Sequence, residues 1–349
     1  MSAKQFSIAV VGASGAVGEA LLAVLFERNF PIKKVYAVAR GGENADGDED
    51  TVLYAERPVL VESIAEFDFS LCELAFFCAP AAIAKKYAPK AVKAGCWVID
   101  VSRQFRLDKK VPLVVPSVNG AVLDDFSKAK PQIIASPGAP IVQLASVLKP
   151  LADGFGLSSV DVTTLLAVSA KGRVGLSELA GQTARLLNAQ AINNKTFPAQ
   201  IAFNLIPAFD APGESGYTLD EQGGIAELIK VLQQERLEVS LSEIFAPVFY
   251  GHSQVVRVRL EKPASVTAAK DALLADGSIE WVDVAEGPLT PVGIGLGSDT
   301  IALGRICQSG SESGDKGSGL TLWTVADNIR KGAAVNAVEI AETLLKSHL

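Results

Sequence analysis

A run of small residues separates the first apolar segment of the chain from the first stretch with helical spacing. It reads GASGAVG at positions 12–18. A dinucleotide site needs such residues, because the backbone must turn tightly and approach the pyrophosphate at the start of a helix. The spacing differs from the commoner Gly-x-Gly-x-x-Gly, so a plain strand–helix turn of a doubly wound fold is the alternative. Its position after the first strand favours a cofactor loop, with these predicted contacts: Gly12, Ser14, Gly15, Ala16 and Val17.

The second predicted strand, residues 35–39, ends beside Arg40. Sites specific for NAD usually carry an acid here, which binds the ribose hydroxyls. A guanidinium instead suits the 2′-phosphate of NADP. An ordinary solvated arginine is the alternative interpretation. The sequence therefore predicts NADP in preference to NAD.

The elements that would position these residues alternate between strand and helix patterns. Strands are predicted at 6–12, 35–39, 73–79 and 97–102, and helices at 16–26 and 82–95. This alternation is typical of βαβ units and a parallel sheet, which predicts a doubly wound α/β fold. After about residue 150 longer strand patterns indicate a more open sheet with a face available to a partner subunit. From residue 325 onward the pattern is helical.

Composition excludes several classes of protein. The net charge is −7 and no block of like charge occurs, which argues against a nucleic-acid partner. Cys72, Cys78, Cys96 and Cys307 show no short paired spacing, so neither a metal site nor a disulfide framework is predicted. No signal-peptide pattern precedes the first strand, and no run of 18 apolar residues would cross a membrane. We expect a cytoplasmic protein.

Four longer segments resemble aspartate-semialdehyde dehydrogenases and occur in that family's order. They are VPLVVPSVNG (111–120), FNLIPAFDAPGESGYTLDE (203–221), FAPVFYGHS (245–253) and GLTLWTVADNIRKGAAVNAVEIAE (319–342). Family members oxidise aspartate β-semialdehyde to β-aspartyl phosphate with NADP and inorganic phosphate. The resemblance implies a cysteine thiolate that attacks the aldehyde, hydride transfer to the nicotinamide, and release of the thioester by phosphate. It also implies a histidine acid/base, and arginines that hold the substrate carboxylate and the phosphate.

The resemblance also implies the complete fold. We expect a Rossmann-type doubly wound parallel sheet plus an α+β mixed-sheet domain for dimerisation and substrate binding. The predicted boundaries are 1–132 for the dinucleotide domain, completed by a C-terminal helix at 325–349, and 133–324 for the second domain. A homodimer and a small-molecule ligand follow from the same resemblance.

Three positions depart from the family pattern. The family's nucleophile lies in an Asn-Pro-Asn/Gly-Cys segment ahead of a helix, and the matching run SPGAP at 136–140 places Ala139 where the thiol is expected. Alanine can neither ionise nor carry an acyl group. The glutamine that assists the cysteine matches Leu166. The arginine for the substrate carboxylate matches Phe245. Three polar groups of one pocket are therefore predicted to be apolar here.

Other positions keep the family residue. His252 matches the acid/base histidine, but without a thiol partner a buried structural histidine is the favoured alternative. Arg106 matches a phosphate-binding arginine. Glu227 and Lys230 match an ExxK pair of the substrate domain, for which a surface i,i+3 ion pair is the alternative. Asn328 matches a cofactor-contacting asparagine, or is simply a polar residue at the start of the last helix.

Three functions fit this pattern. The leading hypothesis is a non-catalytic paralogue, resembling the Usg-type proteins of bacteria, that keeps the dehydrogenase scaffold, the dimer and an NADP-type binding fold. The second is an NADP-dependent oxidoreductase that transfers hydride directly to or from a less charged aldehyde or oxo group, with His252 as acid/base. The third is a regulatory partner that forms mixed dimers with an active relative. Cys78 and Cys96 are better explained as small core residues than as substitute nucleophiles.

Overall fold

The chain forms two compact units in a computed structural model. The first unit is Met1–Gly138 together with Ala333–Leu349, and the second is Ala139–Gly332. Among the residues that the structure describes, no helix is long and apolar enough to cross a membrane. The described residues are 4–40, 50–124, 130–283, 285, 287–293, 297–309 and 318–347.

A mostly parallel sheet forms the centre of the first unit. Its described strands are β1 (Phe6–Val11), β2 (Ile32–Ala39), β3 (Thr51–Tyr54), β4 (Arg57–Ser63), β5 (Leu74–Phe77), β6 (Trp97–Asp100) and β7 (Ile133–Ala135). They lie in the order β3-β4-β2-β1-β5-β6-β7, and every neighbouring pair is parallel except β3 with β4. The helices of this unit are α1 (Ala16–Glu27), α2 (Ala81–Lys93), α3 (Pro116–Asn119) and α8 (Asn336–Ser347).

Both faces of this sheet are covered. Successive side chains of a strand point to opposite faces. In β1, Ile8 therefore joins one apolar layer with Leu21 of α1 and Val338 of α8. Ala9 joins the opposite layer with Ala88 of α2. Burial on both faces is the expected condition of a parallel sheet, and the predicted doubly wound fold is confirmed.

The second unit contains a mixed sheet. Its described strands are β8 (Leu157–Leu166), β9 (Ile206–Pro207), β10 (Glu238–Phe245), β11 (His252–Leu260), β12 (Ile279–Trp281), β13 (Ile301–Ser309) and β14 (Gly319–Ala326). They lie in the order β12-β13-β14-β11-β8-β10-β9. Neighbours are antiparallel except β8 with β10 and β12 with β13. The predicted mixed-sheet domain is therefore confirmed.

The described α-helices of the second unit are α4 (Ala139–Phe155), α5 (Gly172–Leu187), α6 (Leu219–Leu232) and α7 (Val266–Leu274). Of these, α4, α6 and α7 form a layer on one face of the sheet. α4 contacts both α6 and α7, and these three helices contact strands β8, β10, β11, β12 and β13. Every residue of α4 from Ile141 to Leu148 is buried. These eight residues make about two turns, so this part of the helix is covered all around.

The predicted C-terminal helix starts later than residue 325. Val325 and Ala326 still belong to β14, where both pair with β11. The chain turns at Asp327, whose carboxylate accepts hydrogen bonds from the N–H groups two and three residues later. A π-helical turn, Arg330–Val335, then leads into α8. An apolar strand end and an apolar helix start cannot be separated by periodicity alone, which explains the error. The last two residues of the predicted helix lie outside the described part of the chain.

Candidate functional site

The glycine loop joins β1 to α1 in the first unit. Gly12 has a φ of +87°, and a Cβ at this position would lie 2.5 Å from the carbonyl oxygen of Cys78. Both features require glycine. A Cβ at Gly18 would collide with the carbonyl oxygen of Gly12, so α1 lies directly against the loop. The loop is therefore held in one tight conformation by its small residues.

The first turn of α1 faces the partly exposed part of this loop. Gly15 is the N-cap residue and has no side chain to occupy the N–H groups of the helix start. Its own N–H donates to the carbonyl of Gly12 at 3.0 Å. Ser14, Ala16 and Val17 surround it and are partly exposed. The helix N-terminus offers backbone N–H groups and a positive dipole, which fit the pyrophosphate of a dinucleotide.

Arg40 follows β2 directly and is exposed. Because β1 and β2 are parallel neighbours, their carboxyl ends meet at the same edge of the sheet. The guanidinium of Arg40 is thus attached at the edge that carries the glycine loop. This is the position from which a group at the end of the second strand meets the adenosine ribose in dinucleotide-binding folds.

Asp100 ends β6 at the same edge and is fully buried. Its carboxylate accepts hydrogen bonds from the N–H and the hydroxyl of Ser102, at 3.1 and 2.9 Å. Burial raises the pKa of Asp100 to about 6, although these bonds and the charge of Arg106 oppose the rise. Arg106 is half-buried and donates to the carbonyl of Val101 at 2.8 Å. Sequence reasoning identified Arg106 but missed Asp100, although an acid at the end of the apolar run WVID was a usable signal.

The buried cysteines of the first unit are poor candidates for a nucleophile. Burial, with a contribution from the charge of Asp100, raises the pKa of Cys78 to about 12. The Sγ atoms of Cys72 and Cys96 lie 3.6 Å apart, and this hydrogen bond together with burial raises the pKa of Cys96. Thiols held in the protonated form react slowly, because the thiolate is the nucleophile.

In the second unit, Ala139 is the first residue of α4. A Cβ on Gly332 would lie 2.5 Å from the Cβ of Ala139, so the glycine is packed against the alanine methyl group. The next carbonyl, that of Pro140, accepts a hydrogen bond of 2.9 Å from the side-chain amide of Gln254. Gln254 is fully buried on β11. The start of α4 is therefore fixed to the sheet.

Leu166 and Phe245 lie at the carboxyl ends of the parallel neighbours β8 and β10, where they are register partners. Each is only 5% exposed, and both belong to one apolar cluster. The ring of Phe245 lies 5.3 Å from that of Phe197 and 5.6 Å from that of Phe209, measured between centroids. Lys171 places its ammonium 5.1 Å from the centroid of Phe245. These two positions are thus filled by packed side chains.

His252 begins β11 at the same end of the sheet and is 2% exposed. Its Nδ1 accepts a hydrogen bond of 3.1 Å from the backbone N–H of Ala167. Burial lowers the pKa of His252 to about 3. A ring whose Nδ1 accepts from an amide carries its proton on Nε2. His252 is therefore a neutral hydrogen-bond donor at neutral pH, and it is not poised to accept a proton.

The remaining predicted residues of the second unit lie in two places. Asn328 is buried, and its Oδ1 accepts from the N–H of Gly251 at 3.0 Å while its Nδ2 donates to the hydroxyl of Ser169 at 3.0 Å. These bonds tie the turn after β8 to the segment before β11. Glu227 and Lys230 lie on α6, three residues apart.

An acidic cluster surrounds Glu243 and includes Glu227. The pKa of Glu243 on β10 is raised to about 7 by burial and by the neighbouring carboxylates Asp220, Glu221, Asp210 and Glu227.

In the second unit, Leu166, Phe245 and His252 lie at one end of the sheet.

Comparison with known proteins identifies both units. The family described as "Semialdehyde dehydrogenase, NAD binding domain" matches residues 7–126. The family described as "Semialdehyde dehydrogenase, dimerisation domain" matches residues 148–331. An aspartate-semialdehyde dehydrogenase of Legionella pneumophila is 40% identical over 99% of this chain and 97% of its own length. The chain belongs to the aspartate-semialdehyde dehydrogenase family.

Two further relatives show what kinds of protein this family contains. Aspartate semialdehyde dehydrogenase II of Vibrio cholerae, solved in complex with ASA, is 38% identical and covers 99% of this chain and 100% of its own, with a TM-score of 0.91. A USG-1 protein homolog of Pseudomonas aeruginosa is 38% identical over 98% of both chains. The predicted family is confirmed, and a Usg-type protein is among its relatives.

Proposed function

We propose that this chain is a non-catalytic member of the aspartate-semialdehyde dehydrogenase family. The observation that carries the proposal is Ala139, the residue at the start of α4. In the family reaction a thiolate must attack the aldehyde and hold the acyl group until phosphate releases it. A methyl group can do neither. Loss of a covalent nucleophile costs on the order of 10⁶-fold in rate in a well-studied hydrolase.

The apolar cluster around Leu166 and Phe245 supports the same proposal. A substrate carboxylate would meet Phe245 where the family places a guanidinium, and Leu166 stands where the family places the amide that assists the cysteine. Burying an ionised group among apolar side chains is strongly unfavourable unless it is paired. The neutral state of His252 adds to this, because its Nδ1 is already occupied by the N–H of Ala167.

We further propose that the first unit binds NADP. The conformation of Gly12 and the uncapped start of α1 fit a pyrophosphate, and Arg40 at the end of β2 suits a 2′-phosphate. Calorimetric titration of the purified protein with NADP and with NAD tests both whether a dinucleotide binds and whether NADP is preferred. NADP should bind more tightly than NAD, and Arg40→Ser should remove the difference. Equal affinities in the unaltered protein would contradict the assignment.

We propose a homodimer formed through the open face of the second sheet. On this face Val255 of β11 neighbours Thr163 of β8, and Arg257 neighbours Asp161. The match to a dimerisation domain supports it. Sedimentation should give a dimer, and Val255→Glu should give monomers. Leu53→Glu, at an exposed position of the first unit, is the control and should remain dimeric.

The four cysteines are free, which fits a reducing compartment, so we propose that the protein is located in the cytoplasm.

The activity assay is oxidation of aspartate β-semialdehyde by the purified protein with NADP and phosphate. We expect no NADPH above a heat-treated control. An active relative, prepared in parallel, verifies the substrate. Phosphate-dependent turnover comparable to that relative would overturn the proposal. Reduction of uncharged aldehydes by NADPH tests the alternative of direct hydride transfer to a carbonyl, in which the Nε2–H of His252 would donate a hydrogen bond to the carbonyl oxygen and water would supply the proton.

A further inference from the structure

A cation lies beside Phe245, the position that matches the family's carboxylate-binding arginine. It is the ammonium of Lys171, whose Nζ lies 5.1 Å from the ring centroid of Phe245 and 5.1 Å from that of Phe209. The two rings also lie against each other, with centroids 5.6 Å apart. One ammonium therefore lies against both rings, and it reaches Phe245 from the turn after β8 and not from β10.

The turn that carries Lys171 is held at three successive backbone positions. The N–H of Ala167 donates to Nδ1 of His252 at 3.1 Å. The next two N–H groups donate to carbonyls of the connection between β10 and β11, at 2.9 and 3.2 Å. A 3₁₀ turn, Val168–Lys171, then leads directly into α5. The backbone of Lys171 is therefore fixed relative to the end of the sheet where His252 lies.

Among the described residues, no carboxylate neutralises this ammonium. Its three N–H donors make neither an ion pair nor a hydrogen bond there, and the two rings offer only their π-electrons. α5 begins directly after Lys171 and has no acidic residue in its first turn. The first acid of this helix, Glu178, is buried and accepts the backbone N–H groups of Lys195 and Thr196. The donors of Lys171 can therefore pair with an anionic ligand, and partial desolvation by the rings strengthens such a pair.

The ammonium and one of the two rings are accessible to solvent. Phe245 is buried, but Phe209 is 37% exposed and Lys171 is half-buried. A ligand can therefore reach the ammonium and the open part of the Phe209 ring without entering the packed cluster around Phe245. An exposed aromatic ring beside a cation fits a carboxylate that carries an apolar body.

We propose that Lys171 supplies the carboxylate-binding cation at this end of the second sheet, and that its ligand is a small carboxylate with an apolar body. The carboxylate pairs with Nζ of Lys171, and the apolar body lies on the exposed part of the Phe209 ring. An α-amino acid is disfavoured, because its own ammonium would lie close to that of Lys171. The inference rests on the proposed function in one respect, since it takes Phe245 as the position of the family's arginine.

Calorimetric titration of the full-length protein with 3-phenylpropionate tests the proposal, with the neutral 3-phenylpropanamide as matched probe. We expect the acid to bind about tenfold more tightly than the amide, because only the acid forms a charge-assisted pair. In Lys171→Met this preference should disappear, whereas Lys171→Arg should keep it. Lys195→Met removes an exposed lysine of the same unit and should also keep the preference. L-Aspartate should bind more weakly than 3-phenylpropionate.

Four results would each overturn the proposal. These are no binding at millimolar 3-phenylpropionate, equal binding of acid and amide by the unaltered protein, a preference for the acid that survives in Lys171→Met, and tighter binding of L-aspartate. Thermal unfolding of the variants, compared with that of the unaltered protein, separates a lost charge from a lost fold. NADPH formation in the activity assay would contradict the non-catalytic proposal without changing these binding results, so the two proposals fail separately.

Discussion

His252 gives the sharpest test of how the family's polar site has changed. Burial lowers the pKa of its imidazole from the ordinary 6.5 to about 3. Between these values the unfolded chain binds a proton that the folded chain does not, so the contribution of His252 to stability falls as the pH falls from 6.5 toward 3. A pH of 5 lies about 1.5 units below the pKa of the imidazole in the unfolded chain. The stability lost at this pH through His252 is therefore about 2 kcal/mol.

The variant His252→Asn lacks this proton and retains an acceptor oxygen for the N–H of Ala167. The free energy of unfolding of this variant minus that of the unaltered protein should therefore increase by about 2 kcal/mol on going from pH 7.5 to pH 5, because only the unaltered protein loses this stability. Urea unfolding at both pH values measures this. The chain has two histidines, so NMR of the unaltered protein and of His348→Asn identifies the His252 signals. They should not shift between pH 5 and 8. A titration near 6.5, or a stability difference independent of pH, would refute the reasoning and restore His252 as an acid/base candidate.

Three further perturbations test the packing around the site. Asp100 keeps its proton up to about pH 6 in the fold, so its own contribution to stability falls by about 3 kcal/mol as pH rises from 3.8 to 6. In urea unfolding, the free energy of unfolding of Asp100→Asn relative to that of the unaltered protein should therefore increase by about 3 kcal/mol across that range. Gly12→Ala should lower the free energy of unfolding by at least about 3 kcal/mol, because the added methyl group meets a backbone carbonyl. Gly95→Ala is the control, since Gly95 has a similar φ of +96° but open space around it, and it should cost about 1 to 2 kcal/mol. Equal costs would show that the loop can relax. Phe245→Arg should cost about 3 kcal/mol or more in thermal unfolding, and Phe249→Arg, 44% exposed, should cost little. A stable Phe245→Arg protein would mean that the apolar cluster around this position can accommodate a guanidinium.

The first unit was the more predictable part of the fold. Its strands are buried on both faces and its helices alternate with them, so apolar runs predicted the βαβ pattern, and the glycine loop lies between β1 and α1 as the sequence indicated. The start of the last helix was misplaced because apolar residues such as Val325 and Ala326 fit the end of a buried strand as well as the start of a buried helix. The mixed-sheet domain followed from family resemblance, since local pattern does not determine which distant strands pair.

The family resemblance proposed the residues of the candidate site one by one, but it did not predict their environment. Sequence comparison placed Ala139, Leu166 and Phe245 at altered positions. It could not show that Leu166 and Phe245 pack into one apolar cluster, or that His252 accepts a hydrogen bond from a backbone amide, because these contacts join segments far apart in the chain. The pKa of a histidine depends on such burial, which spacing does not encode.

Intact-protein mass spectrometry after incubation with aspartate β-semialdehyde and NADP, without phosphate, tests the central proposal most directly. Under these conditions a family nucleophile would be oxidatively acylated and would retain one aspartyl group as a thioester. We predict an unchanged mass for this protein and an acylated mass for an active relative treated in parallel. An aspartyl adduct on any of the four cysteines that forms with NADP and disappears on adding phosphate would contradict the account.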